Sequence, residues 1–383
     1  MLYIFFILFI LFLVFWYDVT NHSSGKNIGL VIICFIFILI SSLRYRLGGD
    51  ALYYEDMYPN LPSIGTLIEY YLNANNEGFQ PLWLLLVACC KSITDEYVFF
   101  QLVHSIIVFA LFFFFVIRNT NKPFTYILLF CLFHFYFYYV IEIQREVISV
   151  LLFMLNINNL EKNRWVNYFL ISVIAFLFHL SAVILFILPL FKVIQLSKRN
   201  VYIIIFVSLL LPLLKDIVIE NLQLFFFQEN MVEKFEVYNE TQFNFNGILF
   251  FYFIRTGLFF PILFFSIKSN LPYKSWFYIA YLILSSITPI INGSERFLNY
   301  LYFTYLLILV DLIYNQRDFI INNIKYKIMI VSCIMNLFFV IDYKLFIIDN
   351  YGNHYYSLFY PYNSIFDSEF NAERENFNDN VRR

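Results

Sequence analysis

The chain has 383 residues, of which 61% are hydrophobic and only 14% charged, with a net charge of −2. A soluble domain carries roughly 25% charged residues, so this chain lacks the polar side chains to dress a water-facing surface, and a polytopic membrane protein is the class that remains. A net charge so close to zero gives no support to a nucleic-acid partner; across a membrane, the distribution of charge carries the information.

A spanning helix needs about 20 apolar residues. In chain order, the runs 2–17, 27–43, 97–117, 123–140, 142–158, 201–219, 247–267, 273–291, 297–314 and 326–348 predict about ten full crossings. The first run has neither a basic flank nor a small-residue cleavage site and reads as a retained helix. Residues 79–90 are apolar but short, and 165–191 are too long for one simple crossing and are interrupted by His179 and Ser181. Short basic loops face the cytoplasm. Five such loops lie at 118–122, 162–164, 192–199, 268–274 and 317–327. All five reach that side if 79–90 dips in and returns and 165–191 forms a hairpin of two half-helices turning near His179. The alternative is a single tilted helix over 165–191, which leaves one basic loop outside. Re-entrant backbone of this kind is tolerated where it lines a protein cavity. The expected architecture is an all-α transmembrane bundle: one domain over 1–348 with exterior loops 44–78 and 220–246, then a polar tail over 349–383, expected to be partly disordered.

A second set of ionisable residues, not used to orient the chain, falls on the opposite side from the basic loops. Arg44, Arg46 and Asp50 follow the second helix in LRYRLGGDALYYEDMYP, and Glu77 precedes the short apolar run in NNEGFQP. Arg145 stands with Glu142 and Glu146 in YYVIEIQREVISV, and His179 lies at the expected hairpin turn in FLFHLSAV. Arg255 falls inside the 247–267 run, and Arg296 opens the next outer helix start in NGSERFLNY. A charge at membrane depth costs about 3 kcal/mol or more and is a candidate functional residue by default. Plainer readings stand beside the functional ones: snorkelling anchors for Arg44 and Arg46, a turn or cap for Asp50, a solvated loop carboxylate for Glu77, a bonded core histidine for His179, and Glu142 as the structural partner of Arg145. Several arginines at one outer cavity suit a lipid diphosphate, because the guanidinium fork gives bidentate contacts and stays charged. Histidine can move a proton near neutral pH. His104 and His134 lie in apolar runs away from this set and read as core residues.

No metal-ligand spacing is visible. Cys34, Cys89, Cys90, Cys131 and Cys333 all sit in apolar runs. Phosphate-loop, dinucleotide-fold, HExxH and GxSxG signatures are absent, as is the aspartate pair of a metal-dependent nucleotide-sugar transferase.

RYRLGGDALYYEDMY resembles the R-x-x-x-G-x-D-x-x-x-Y segment of the EpsG-like family of bacterial polysaccharide polymerases. NEGFQPLWLLL is similar to its E-x-G-[FY] segment, with Asn76 at the glutamate position and Glu77 following. QREVISVLLFML, AFLFHLSAVILFILPL and SERFLNYLYF resemble its arginine, F-H-x-S-A and late arginine–tyrosine elements, so the resemblance runs in order over roughly residues 40 to 305. It implies a Wzy-type, GT-C-like membrane glycosyltransferase of the bacterial inner membrane, with its active site on the periplasmic or exterior side and no cofactor or metal. The implied substrate is an undecaprenyl-diphosphate-linked repeat unit, destined for capsule, O-antigen or exopolysaccharide. A chain-length regulator and a flippase are implied partners beside the bilayer. In that reading Arg145, Arg255 and Arg296 bind the donor diphosphate, and Arg44 or Arg46 does the same or holds the acceptor lipid. His179, Asp50 or Glu77 removes the acceptor proton, and tyrosines including Tyr54 and Tyr300 hold sugar. A flippase or exporter of the same lipid-linked glycan is the competing reading.

Overall fold

A computed structural model describes residues 2–72, 78–210, 245–263, 275–288, 290, 293–315, 324–349, 351–367 and 369–382. Among these residues the protein is helical; its only extended pairings are isolated bridges. The chain divides into two compact units, residues 1–182 with 341–383, and residues 183–340.

In the first unit, α1 (Leu2–Leu13) runs on through a π-helical turn, Val14–Val19, and is followed by α2 (Lys26–Ser42) and α3 (Gly49–Met57). Then come α4 (Leu67–Leu72), α5 (Pro81–Lys91), α6 (Tyr97–Asn119), α7 (Pro123–Leu132), α8 (Gln144–Glu161) and α9 (Trp165–Phe178). Proline at the first position starts both α5 and α7, where its missing N–H leaves no bond unmade. Helix α2 packs on α6, α1 on α7, and α8 on both α6 and α9.

The unit has two distinct ends. At one, Asp18 is fully buried and its carboxylate accepts the Thr125 backbone N–H (2.7 Å) and hydroxyl (3.0 Å), capping the start of α7 from another segment. Lys26 lies 3.7 Å from the same carboxylate and donates to Asn121 O, while Lys122 donates to Asp18 O and Asn21 Oδ1. At the other end, the 43–49 turn meets residues 136–144 and the chain's last segment. Tyr45 N–H donates to Asn363 O, Gly48 N–H to Leu358 O, and Ile365 N–H to Leu43 O, each at 2.9 Å. The tail carries a helix, Ala372–Arg382, whose Phe377 is buried beside Tyr355.

The run expected as one helix over 123–140 is instead two helices, Pro123–Leu132 and Tyr136–Glu142, bent by 75°. His134 sits in the break at φ +53 and is held by Asp342, Nδ1 to Oδ1 at 2.9 Å. Hydropathy sees a continuous apolar run there and is blind to that long-range tie. By length and composition, Leu2–Val19, Tyr97–Asn119, Asn246–Leu263 and Arg296–Tyr314 suffice to cross a membrane, and the bent pair makes a fifth if it is one span. Among the described residues, six further apolar helices are shorter. Helix α5, at 11 residues, rises only about 16 Å, roughly half the hydrocarbon thickness. The 165–191 stretch breaks where the sequence expects: α9 ends at Phe178, His179 is extended, and a 3-10 turn, Leu180–Val183, leads into a new helix at Ile184.

The second unit is built around the almost wholly buried helix Ser275–Ile287, which packs on the helices Ile184–Val193, Lys198–Leu210 and Arg296–Asn315. A π-helical turn, Phe253–Gly257, interrupts its Asn246–Leu263 span. Such a turn leaves backbone carbonyls without their regular partners. Here Asn336 Nδ2 donates to the carbonyls of Ile254 (3.2 Å) and Arg255 (2.8 Å), and Ser332 Oγ donates to that of Leu258 (2.6 Å).

Candidate active site

The turn before α3 explains the Gly48-Gly49-Asp50 sequence. Gly48 lies at φ +89, ψ +146, a region closed to residues with a side chain, and a Cβ there would fall 2.4 Å from Ile141 Cγ2. A Cβ on Gly49 would fall 2.7 Å from Glu142 Oε1. The close approach lets Glu142 accept the Gly49 N–H at 2.8 Å, putting a carboxylate on the N-terminus of α3, where orphan N–H groups and the helix dipole favour negative charge. Gly48→Ala should therefore lower stability by about 2 kcal/mol or more, read as a drop in the thermal unfolding midpoint of the detergent-solubilised protein. A midpoint unchanged from the parent would show that the turn does not need its glycine.

This turn sets α3 so that Tyr54 faces Arg145. Arg145 Nε donates to the Tyr54 hydroxyl at 2.7 Å, and Nη1 reaches Gln80 Oε1 at 3.4 Å. The guanidinium also lies over the rings of Phe79 (4.9 Å) and Tyr54 (5.5 Å). It is half-buried, its partners are all neutral, and no carboxylate pairs with it among the described residues. Trp83 backs Tyr54 from α5, with the ring centroids 5.6 Å apart. Asp50, half-buried in the first turn of α3, stands four residues before Tyr54, on the same face of that helix by spacing.

His179 comes to the same level by register. Helices α8 and α9 run antiparallel, tied by Asn156 Nδ2 to Tyr168 O (2.9 Å) and Ser149 Oγ to Ala175 O (2.7 Å). One turn further along each helix, that register sets His179 level with Arg145. His179 is buried, and its Nδ1 receives the Ser181 backbone N–H at 3.2 Å and lies 2.8 Å from the Ser181 hydroxyl. A backbone N–H can only donate, so Nδ1 is the acceptor, and the neutral ring carries its proton on Nε2.

Arg44 and Arg46 differ from Arg145 in being consumed by the fold. Arg44 is fully buried, donates to Ser41 O, and keeps Nη2 without a hydrogen-bond partner among the described residues. Arg46 makes a two-pronged pair with Glu375 (2.6 and 2.9 Å) and a third contact to Asp56 (2.8 Å); these carboxylates hold its pKa above the ordinary arginine value. Burial raises the Glu55 carboxyl on the same helix, against the pull of Arg46 and Arg44. Glu77 lies outside the described residues.

Arg255, Arg296 and Tyr300 belong to the second unit. Arg255 is buried within the π turn, donates from Nη1 to the Thr288 hydroxyl, and lies 5.8 Å from the centroid of Phe251, with Nε unpartnered among the described residues. Arg296 begins the helix that carries the fully buried Tyr300. Among the described residues, each unit thus holds a guanidinium over an aromatic ring and hydrogen-bonded only to neutral side chains. Gln80 and Phe79 are contributors that a search for unusual charges passes over, being neutral; Glu142, read from the sequence as the partner of Arg145, instead spends an oxygen on a distant backbone amide.

No curated protein and no solved structure matches the chain. A family model does, over residues 27–364, a stretch that takes in both arginine sites and the turn before α3. The chain belongs to the EpsG family.

Proposed function

We propose that this EpsG-family chain is a membrane-embedded polysaccharide polymerase that joins undecaprenyl-diphosphate-linked oligosaccharide units at the periplasmic or exterior face. Arg145 carries the proposal: an arginine oriented on two sides by neutral groups, with no carboxylate pairing with it among the described residues, is prepared for an anion. The family supports polysaccharide biosynthesis at a general level.

The chemistry is a glycosyl transfer. A hydroxyl oxygen of the acceptor sugar forms a bond to the anomeric carbon of the donor, and the bond from that carbon to the diphosphate oxygen breaks. The lipid diphosphate leaves with the bonding electrons, and Arg145 stabilises the charge gathering on its oxygens. Asp50 takes the acceptor proton, because the Ser181 bond leaves neutral His179 a donor through Nε2; His179 instead steadies a phosphate or sugar oxygen. With so good a leaving group, orientation and electrostatics supply most of the catalysis. For Arg255 and Arg296, in the second unit, the proposal is a role in binding lipid diphosphate, tested separately from that of Arg145.

The test uses purified protein in liposomes, with lipid-linked repeat units supplied on one side. A ladder of longer glycans is expected. Transfer of unaltered units across the bilayer, with no ladder, would instead make the protein a flippase.

A further inference from the structure

The family match stops at residue 364, yet a buried guanidinium with three hydrogen bonds at this end of the first unit lies beyond it. Arg374, on the C-terminal helix Ala372–Arg382, is almost fully buried. Its Nε donates to Ser357 O (2.9 Å), its Nη2 to Pro361 O (2.6 Å) and its Nη1 to Arg46 O (3.1 Å). One guanidinium thus ties the helix to two points of the tail and to the turn before α3. Burial pulls its pKa down to about 10, which leaves it charged at neutral pH.

The next residue repeats the contact from outside. Glu375 grips Arg46 by both its carboxylate oxygens, and Arg46 passes the grip on to Asp56 near the far end of α3. Arg46 itself sits at φ +46, a left-handed conformation that a residue with a side chain holds only where its surroundings impose it. Those surroundings are the tail: Tyr45 N–H on Asn363 O, Gly48 N–H on Leu358 O, and Arg374 on the Arg46 carbonyl. Asn378 of the same helix approaches Gly49, where an added Cβ would lie 3.5 Å from Asn378 Oδ1. Helix α3 is therefore held at both ends by groups that answer to the C-terminal helix, and between them lie Asp50 and Tyr54.

We infer that the C-terminal helix is a positioning element of the active site: through Arg374 and Glu375 it fixes the 43–49 turn, and through that turn it places Asp50 and Tyr54 against Arg145. The inference rests on the proposed role of the Arg145 wall. The geometric half stands apart from that role, since it concerns only what holds α3.

The experiment uses the full chain, purified in nanodiscs, as Glu375→Gln and Glu375→Asp, with Arg374→Ala as the more severe change. Backbone hydrogen exchange over 48–57 reports the lock, and steady-state chain extension of lipid-linked units reports its consequence. Glu375→Gln removes the charge and turns an amide N–H₂ toward the guanidinium. It should speed exchange over 48–57 by about tenfold while α6 and α8 keep their protection. The same variant should lower kcat by about tenfold or more, with KM within about twofold, since small displacements of catalytic groups act mainly on the chemical step. Glu375→Asp keeps the charge and should stay near the parent in both readouts. Unchanged exchange over 48–57 in both Glu375→Gln and Arg374→Ala would overturn the lock. Faster exchange with unaltered kcat, or a rise spread evenly through α6 and α8, would make the helix a general stabiliser and overturn the positioning role. If Arg145→Ala keeps full activity, the reading of the wall fails, while the exchange data still judge the lock.

Discussion

Replacing Arg145 by lysine should cut chain extension by about a hundredfold, nearly as deeply as replacing it by alanine. The reason is geometric. The guanidinium is held edgewise by the Tyr54 hydroxyl through Nε and by Gln80 through Nη1, while its face lies over Phe79. That leaves N–H groups of a fixed, planar fork for an incoming anion, which two phosphate oxygens can meet together. A lysine ammonium is a point charge on a flexible stem; it can satisfy Tyr54 or reach the anion, but it cannot stack and fork at once. Tyr54→Phe keeps the ring face and loses only the hydroxyl, so a loss of about tenfold, or about 1.4 kcal/mol of transition-state stabilisation, is expected. Rates are measured on purified variants in liposomes, with the unfolding midpoint checked in parallel. A lysine variant as fast as the parent would show that only the charge matters, and the oriented-fork account would be wrong.

Much of this was open to sequence reading, and the part that was not has a common cause. Composition alone sets the helical membrane class, because 14% charged residues cannot solvate a globular surface. Local chemistry places the break at His179 and offers a turn or cap at Asp50. What the sequence hides is long-range. Glu142 reads as a helical neighbour of Arg145 by spacing, yet it caps a helix 93 positions away through Gly49. Glu375, which grips Arg46 by both its oxygens, lies 329 positions downstream of it, in a tail whose polarity reads as disorder. His134 reads as a core residue of a straight helix, whereas its tie to Asp342, 208 positions on, sits at a 75° bend. Periodicity and hydropathy report what a segment wants from its immediate surroundings; none of these three contacts leaves a trace in either.

Arg255→Met should make the protein more stable and less active at once. Arg255 lies in a span of membrane-crossing length, almost fully buried, with one hydrogen bond to the Thr288 hydroxyl and an Nε that meets no partner among the described residues. No carboxylate pairs with it there. A charge so placed opposes folding by about 3 kcal/mol or more. Methionine of similar length removes that penalty, and replacing buried ions by packed apolar side chains gains about 1–4 kcal/mol where it has been tried. The turn around it should survive, because its freed carbonyls are held by Asn336 and Ser332, and the Thr288 hydroxyl still has the Ser285 carbonyl to donate to. Activity should fall by about a hundredfold or more if the guanidinium meets the diphosphate, since an unpaired charge of this kind is retained for what it binds. The two measurements, unfolding midpoint and chain extension, carry opposite signs only for an arginine kept for function. Should Arg255→Met melt lower than the parent, the arginine is holding the π turn together, and its place in the diphosphate scheme would have to be given up.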